Sequence, residues 1–137
     1  MKRIFLDANV LFSAAYRADS GLLRLWKLRG VTLVTSDYTF EEARRNLPIE
    51  DQRAALESLG HRLEVVSGTF DGVPLPRSVR LPEDDKPILR AAIASRCTVL
   101  LTGNLRDFGP YLDAAVGGVS IQRPAMYLAS VRRTRRG

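Results

Sequence analysis

Short apolar stretches alternate with longer amphipathic stretches along most of this chain. The apolar stretches are rich in Val, Ile and Leu, have the length of strands, and are bounded by polar residues or Gly. They predict strands over residues 3–7, 31–35, 63–66, 98–102 and 119–121. The amphipathic stretches predict helices over residues 9–17, 20–30, 37–47, 50–59, 84–96 and 124–131, with a further short helix over 108–116.

This alternation predicts the fold class. Parallel strands need crossover connections, which are usually helices, so the pattern predicts a three-layer α/β/α fold around a mainly parallel sheet of about five strands. The 137 residues are enough for one domain, expected over residues 1–131. Residues 132–137 contain four arginines and predict a flexible basic tail. The Gly- and Pro-rich segment 67–82 predicts a long loop.

The charge of the chain permits a polyanionic partner without requiring one. Lys and Arg total 21 against 15 Asp and Glu, which gives a net charge of +6. Only Lys2, Lys27 and Lys86 are lysines, so nearly all of the positive charge is Arg, whose planar guanidinium suits phosphate.

Cysteine and histidine usage excludes several kinds of site. Cys97 is the only cysteine and His61 the only histidine, so an intrachain disulfide, a zinc finger and a histidine-dependent triad are excluded. We expect Cys97 to be buried and His61 to flank a turn. No apolar run is long enough to span a bilayer, and Asp7 interrupts the first one, so we expect a cytoplasmic protein without a membrane partner.

Acidic and amide side chains occur where the predicted strands end or where the adjoining helices begin. They are Asp7, Glu41, Glu42, Asp84, Asp85, Asn104 and Asp107. The carboxyl ends of parallel strands meet at one edge of the sheet, where α/β folds place their binding sites. We therefore expect several of these side chains to converge.

The predicted helix 84–96 distinguishes its two acids. Its apolar stripe consists of Ile88, Leu89, Ala92 and Ile93. Asp85 extends this stripe by one turn and should point inward, whereas Asp84 is rotated away. A buried carboxylate needs a partner, although both acids also suit the positive end of a helix dipole. The same geometry does not choose between Glu41 and Glu42.

A cluster of carboxylates without His or Cys is typical of Mg²⁺ or Mn²⁺ sites. Such ions orient phosphates and activate water for attack on them. An arginine-rich exterior around an acidic centre is consistent with a nucleic-acid substrate, because the arginines attract its backbone.

Four segments together resemble the motifs of the PIN domain, the metal-dependent nuclease domain of many bacterial toxins from toxin–antitoxin modules. The segments are residues 4–11 with Asp7 and Asn9, then Ser36, Thr39 and Glu42, then Asp85 with Ile88, Ala91 and Ala92, and finally residues 100–108. The resemblance covers about residues 3–125 and favours Glu42 over Glu41.

The resemblance implies a set of site residues. Asp7, Glu42 and Asp85 would be catalytic acids that bind Mg²⁺ or Mn²⁺ directly or through water, Asn104 and Asp107 would share the fourth position, and Asn9 and Thr102 would support the site. Many members have Asp at the position of Asn104, and others have Asn there with an acid three residues later, as in Asp107. Whether Asn104 or Asp107 completes the site therefore stays open.

The resemblance also implies a function and partners. We expect an endoribonuclease that hydrolyses RNA phosphodiester bonds as the toxin of a toxin–antitoxin module, with RNA as substrate and an antitoxin protein and a second copy of the chain as partners. One alternative is an inactive PIN-like module that only binds nucleic acid. A second alternative is a phosphohydrolase similar to haloacid dehalogenases, but Asn9 stands where that family has its second Asp.

Overall fold

A six-stranded sheet forms the centre of the molecule among the described residues. The computed structural model describes the backbone of residues 1–136 and the side chains of residues 1–132. The strands are β1 (Lys2–Leu6), β2 (Val31–Ser36), β3 (Glu64–Val66), β4 (Val99–Leu101), β5 (Ala115–Val116) and β6 (Val119–Gln122). Their order is β3-β2-β1-β4-β6-β5, and every neighbouring pair is parallel except β5 and β6.

Helices connect the strands and cover both faces of the sheet. The α-helices are α1 (Ala8–Tyr16), α2 (Asp37–Asn46), α3 (Glu50–Gly60), α4 (Lys86–Ala94), α5 (Leu105–Phe108) and α6 (Pro124–Arg136). Two short 3-10 helices occupy Gly21–Lys27 and Gly109–Tyr111. None of the helices in the described residues is long and apolar enough to cross a membrane.

Successive side chains of the strands point to opposite faces of the sheet and pack into two separate hydrophobic cores. Ile4 and Leu6 of β1 pack with residues of α1, α3 and α6 on one face of the sheet. Phe5 packs on the opposite face with residues of α4 and α5. Because both faces are covered, the central segments 4–6 of β1 and 99–101 of β4 are continuously apolar, as is typical of buried parallel strands. The predicted three-layer α/β/α class is confirmed.

The order of the strands changes direction between β1 and β4. From β1 the chain proceeds outward to β2 and β3, and it then returns to β4 on the other side of β1 before continuing to β6. The connections that leave β1 and β4 at their carboxyl ends therefore diverge and leave a crevice between them. This topological switch point is the position where the predicted acids should meet.

Two predicted helices differ from the structure. Residues 20–30 form the tighter 3-10 helix Gly21–Lys27, which starts at the cap Ser20. The short helix predicted over 108–116 is wrong beyond its first residues, because β5 forms an antiparallel hairpin with β6 there. Gly117 and Gly118 have φ angles of +58° and +84°, and this backbone conformation favours the tight turn of such a hairpin.

The last helix is longer than predicted. Helix α6 continues to Arg136, five residues beyond the expected end at residue 131. The side chains of residues 133–136 and all of Gly137 lie outside the described residues. The flexibility expected for 132–137 therefore stays a prediction.

The long loop was predicted correctly, and side chains of the core elements hold it in place. No helix or strand interrupts residues 67–85. The Tyr38 hydroxyl donates a hydrogen bond to the carbonyl of Asp84 at 3.1 Å, and Arg90 Nε donates to the carbonyl of Val73 at 3.1 Å. The backbone N–H of Arg80 donates to the Tyr111 hydroxyl at 2.6 Å.

The remaining expectations for single residues are also met. Cys97 is 3% exposed, so its thiol is buried as predicted. His61 caps the C-terminus of α3 and flanks the turn that follows Gly60.

Candidate active site

Asp7 is the most deeply buried acid at the carboxyl edge of the sheet. It follows β1 directly, is 2% exposed, and its backbone N–H donates to the carbonyl of Leu101 at the end of β4 at 3.1 Å. It is also the N-cap of α1, where Oδ1 accepts a hydrogen bond from the N–H of Ala8 at 2.7 Å. The end of one element and the start of the next therefore fix this carboxylate.

A network of side chains holds the other carboxylate oxygen of Asp7. Thr102 Oγ1 donates to Oδ2 at 2.7 Å, and Asn9 Nδ2 donates to it at 3.2 Å. Asn9 Oδ1 accepts from the N–H of Gly103 at 2.6 Å, and the N–H of Asn104 donates to Thr102 Oγ1 at 3.0 Å. Asn9 and Thr102 thus orient Asp7 and connect it to the segment that follows β4.

Helix α2 directs Glu42 toward the same crevice. Ser36 caps this helix by accepting a hydrogen bond from the N–H of Thr39 at 3.1 Å, which fixes its first turn at the end of β2. Glu42 is half-buried and lines the crevice, whereas Glu41 is exposed and pairs with Arg44 at 3.3 Å. The structure therefore separates two acids that the apolar pattern could not.

Asp85 and Asp84 face different surroundings, as the helical stripe predicted. Asp85 is half-buried and lines the crevice, while Asp84 is exposed. Asp85 occupies the N-cap position of α4, yet its side chain makes no capping hydrogen bond. Its carboxylate is consequently not used to cap the helix.

Asn104 and Asp107 form one hydrogen-bonded unit. Asn104 caps α5 by accepting from the N–H of Asp107 at 3.2 Å, and its Nδ2 donates to Asp107 Oδ2 at 3.1 Å. Asn104 lines the crevice, and Asp107 lies beside Asp85, whose pKa it raises. The sequence did not decide whether Asn104 or Asp107 completes the site. In the structure the two side chains are hydrogen-bonded to each other, so both belong to the same part of the site.

The crevice is an open cavity of about 460 Å³ at the switch point of the sheet. Its walls contain four of the expected polar side chains together with Asn9. The lining residues are Asp7, Ala8, Asn9, Phe12, Glu42, Asn46, Asp85, Ile88, Gly103 and Asn104. Asp107 and Thr102 do not line the cavity, but each makes a hydrogen bond to a residue that does.

The acids of the cavity disfavour one another's negative charge. Burial raises the pKa of Asp7, against the opposing effect of the hydrogen bond from Thr102. Burial, followed by the charge of Asp7, raises the pKa of Glu42. Burial and the neighbouring Asp107 raise the pKa of Asp85 to about 7, with further contributions from Asp7 and Glu42. A cation in this cavity would relieve the repulsion.

The donor set is suited to a hard cation. All of the ligand-type side chains in the cavity carry oxygen donors, which Mg²⁺ and Mn²⁺ prefer. A carboxylate has about four acceptor positions. Asp7 uses three of them, for Ala8, Thr102 and Asn9, so one remains for an ion.

The acids do not form a closed cage. Among the described residues, no three His, Cys, Asp or Glu side chains are grouped closely enough to hold a metal ion. Mg²⁺ commonly retains several waters and uses one or two carboxylates, so it fits such an open arrangement.

Three lining residues were not singled out from the sequence. Asn46 lies one helical turn beyond Glu42, so its spacing from a predicted acid was an available signal. Phe12 lies one helical turn beyond Ala8, the residue that follows Asp7. Gly103 had no such signal. A Cβ atom there would lie 3.1 Å from Asn9 Oδ1, so its role depends on a contact across the sheet.

Comparisons with known proteins agree with this fold. A model of the PIN domain family matches residues 3–106. A chain in the crystal structure of VapBC2 from Rickettsia felis bound to a DNA fragment from their promoter superposes with a TM-score of 0.65 and 16% identity, over 88% of this chain and 98% of that one.

A second solved structure is VapC20 of Mycobacterium tuberculosis, described as a toxin that cleaves the sarcin-ricin loop. It superposes with a TM-score of 0.51 and 12% identity, over 71% of this chain and 86% of that one. No curated protein sequence matches this chain. The family model covers most of the chain, including the positions of Asp7, Glu42, Asp85 and Asn104, and the chain therefore belongs to the PIN domain family.

Proposed function

We propose that this chain is a Mg²⁺- or Mn²⁺-dependent endoribonuclease, and that it acts in the cytoplasm as the toxin of a toxin–antitoxin module. The observation that carries the proposal is that Asp7, Glu42 and Asp85, from three separate elements, line one cavity at the switch point of the sheet. Membership of the PIN domain family supports nuclease chemistry. The fold shared with VapBC2 and with the RNA-cleaving toxin VapC20 supports a toxin role.

Asp7, Glu42 and Asp85 would hold the ion directly or through its waters, because no three acids of the described residues are close enough to bind it together. Asn104 would bind it directly or through water. When bound, such an ion supplies a water of lowered pKa and stabilises the charge that develops on the phosphate. Asp107 adds negative charge behind Asp85 and fixes the amide of Asn104. Asp7, Glu42, Asp85 and Asp107 are thus the proposed catalytic acids.

The hydrogen bonds around Asp7 give it a fixed orientation before any ligand arrives. Thr102 and Asn9 occupy Oδ2, and Ala8 occupies Oδ1, so the carboxylate cannot rotate without losing several donors. A prepositioned ligand loses little freedom on binding, which favours productive geometry. Arg45 is close enough to offset part of the repulsion at Glu42 and is available to meet a phosphate.

RNA cleavage with and without a divalent ion tests the proposal. We expect the purified protein to cleave single-stranded RNA in Mn²⁺ or Mg²⁺ and not in EDTA, and Asp7→Asn to abolish cleavage. Asp84→Asn is the matched control, since Asp84 is exposed and does not line the cavity, and its charge is the last of the contributions that raise the pKa of Glu42. Equal cleavage by the wild type and Asp7→Asn in matched metal would sink the assignment.

The proposed antitoxin partner is tested with the proteins that neighbouring reading frames encode. A small protein encoded beside this chain should co-purify with it and suppress its RNA cleavage. A protein that cleaves RNA but has no such neighbour would instead have a free-standing role in RNA processing. A second copy of the chain is also a proposed partner. Analytical ultracentrifugation at several protein concentrations measures this self-association.

An inactive nucleic-acid-binding module is the second candidate function. It is favoured by one observation, that an amide rather than a carboxylate stands at Asn104 on the cavity wall. An inactive module should show no Mn²⁺-dependent thermal shift and no cleavage, while still binding RNA. A shift that Asp7→Asn abolishes would contradict it.

A further inference from the structure

The cavity of the candidate site continues past Phe12 into a second cavity along α1. This second cavity has a volume of about 450 Å³, and its walls include Phe12, Ser13, Tyr16, Arg17, Asp19 and Ser20. Phe12 lines both cavities, so it forms the boundary between them. A ligand longer than the first cavity can therefore continue into the second without leaving the surface of α1.

Two aromatic rings occupy this boundary. The rings of Phe12 and Tyr16 stack with their centroids 5.2 Å apart and their planes at 24°. Phe12 is partly buried against the core, which anchors the pair, whereas Tyr16 is 46% exposed. Tyr16 lines the second cavity, and an aromatic ring that is half exposed there is a surface on which another flat ring gains by stacking.

The spacing along α1 fits a chain of nucleotides. Ala8, Phe12 and Tyr16 are successive positions one helical turn apart, so each is displaced by about 6 Å along the helix axis from the one before. This step is comparable to the distance between neighbouring nucleotides in an extended single strand. Asp7 and Ala8 stand at one end of this series, where the strand would be cut.

Polar groups around Tyr16 suit the edges of a base or a sugar. Ser13 and Ser20 contribute hydroxyls to the second cavity, and Arg17 and Asp19 pair across its rim, Nε to Oδ1, at 3.1 Å. That pair is exposed, so both of its members are accessible to a nucleotide edge. Aromatic stacking combined with such groups is how proteins bind unpaired nucleotides.

We infer that Phe12 and Tyr16 form a stacking subsite for an unpaired base of the RNA that flanks the scissile phosphate, with Tyr16 as the residue that contacts it. The inference rests on the proposed function for the identity of the ligand as RNA. The base at this subsite must be unpaired, because a base inside a duplex cannot present its face to Tyr16.

Binding of a labelled single-stranded RNA pool of mixed sequence, about 12 nucleotides long, tests the subsite. The measurement is fluorescence anisotropy in EDTA, where metal-dependent cleavage does not interfere. We expect Tyr16→Ala and Tyr16→Leu to weaken binding about tenfold, and Tyr16→Phe to restore it to within about twofold, because stacking needs a flat ring rather than apolar bulk.

A second measurement uses the RNA instead of the protein. Strands of the same length in which abasic sites replace all bases should bind the wild type about tenfold more weakly, and Tyr16→Leu should be nearly insensitive to this change. Thermal melting of each variant controls for folding. Equal binding of the pool by wild type, Tyr16→Leu and Tyr16→Phe would overturn the inference.

The outcome separates this inference from the proposed function. If Tyr16→Leu binds RNA as the wild type does while both cleave it in Mn²⁺, the subsite is wrong and the nuclease stands. If no variant cleaves but binding still depends on the ring at position 16, the nuclease fails and the subsite stands. A loss of self-association in Tyr16→Leu with unchanged RNA binding would assign the exposed ring to a protein interface and overturn the inference.

Discussion

The two sides of the acidic cavity differ in how far their polar groups are satisfied. On one side, Asp7 accepts three hydrogen bonds, and its partners Thr102 and Asn9 are themselves tied to the segment after β4. On the other side, Asp85 has no capping hydrogen bond and lies against the like charge of Asp107.

This difference indicates which part of the site folding alone fixes and which part a cation would stabilise. The Asp7 side is ordered in the metal-free chain, because backbone and side-chain donors offset part of the cost of burying its charge, although burial still raises the pKa of Asp7. On the Asp85 side, the hydrogen bond from Asn104 goes to Asp107, and Asp85 itself makes no capping hydrogen bond, so the two carboxylates repel each other when both are ionised. Substitutions on the two sides should therefore have opposite effects on the stability of the metal-free protein.

The largest expected effect is on cleavage by Asp85→Asn. Loss of a ligand should lower the cleavage rate more than about 100-fold, since loss of a residue that merely orients a ligand costs about 10- to 100-fold. The same variant should melt at a higher temperature than the wild type in EDTA, because a repelled charge is removed. Initial rates in Mn²⁺ and melting curves in EDTA measure the two effects.

Asp84→Asn is the matched control for this variant, since Asp84 is the exposed neighbour of Asp85. Its rate and its melting temperature should stay near those of the wild type. A comparable loss of rate in both variants would contradict the orientation of the two acids.

Thr102→Val should have the next largest effect, and its effect on stability should have the opposite sign. It removes the 2.7 Å hydrogen bond to Asp7 without removing any charge. We expect a rate about 10- to 100-fold lower and a free energy of unfolding about 1–3 kcal/mol smaller. Thr102→Ser retains the hydroxyl, so it should recover most of the cleavage rate and most of the free energy of unfolding. If it recovers neither, packing by the Thr102 methyl group matters rather than the hydrogen bond.

Asp107→Asn should have a smaller effect, because Asp107 acts through Asp85 and Asn104. We expect about a tenfold lower rate, the low end for a residue that orients a ligand, and a weaker affinity for Mn²⁺. Isothermal titration with Mn²⁺ compares this variant with Asp85→Asn. An effect as large as that of Asp85→Asn would make Asp107 a direct ligand.

The smallest effect concerns pH. The pKa of Asp85 is raised to about 7 in the folded protein, above its value in the unfolded chain. The folded state thus binds more protons between these values, and the metal-free protein should become more stable as pH falls from 8 toward 5. Melting temperatures in EDTA over this range check the sign, and Asp85→Asn should show a weaker dependence. A melting temperature that rises with pH would contradict the repulsion described for this side.

The fold was predictable wherever a single element carried the signal. The apolar runs located all of the parallel strands, and the stripe of α4 correctly oriented Asp85 relative to Asp84. The hairpin of β5 was missed because its signal consists only of Gly117 and Gly118, while the preceding residues are compatible with a helix.

The site was less predictable from the sequence than the fold, because it depends on contacts between elements. The pattern along α2 did not choose between Glu41 and Glu42, and only the docking of that helix on the sheet turns Glu42 inward. The link between Thr102 and Asp7 spans most of the chain, and the pairing of β1 with β4 brings the two together. The family resemblance selected Glu42 and supplied Thr102, which local periodicity could not do, whereas the position of Asp7 at a strand end was itself a signal.

The strand order divides the molecule at the same line as the cavity. Every strand before the 67–85 loop lies in the half of the sheet with β3, β2 and β1, and the strands after it form the half with β4, β6 and β5. Asp7 and Glu42 belong to the first half, and Asp85 and Asn104 to the second. A chain opened between Pro76 and Arg77 would yield two polypeptides that each lack half of the acids, and nuclease activity would then report on their reassociation.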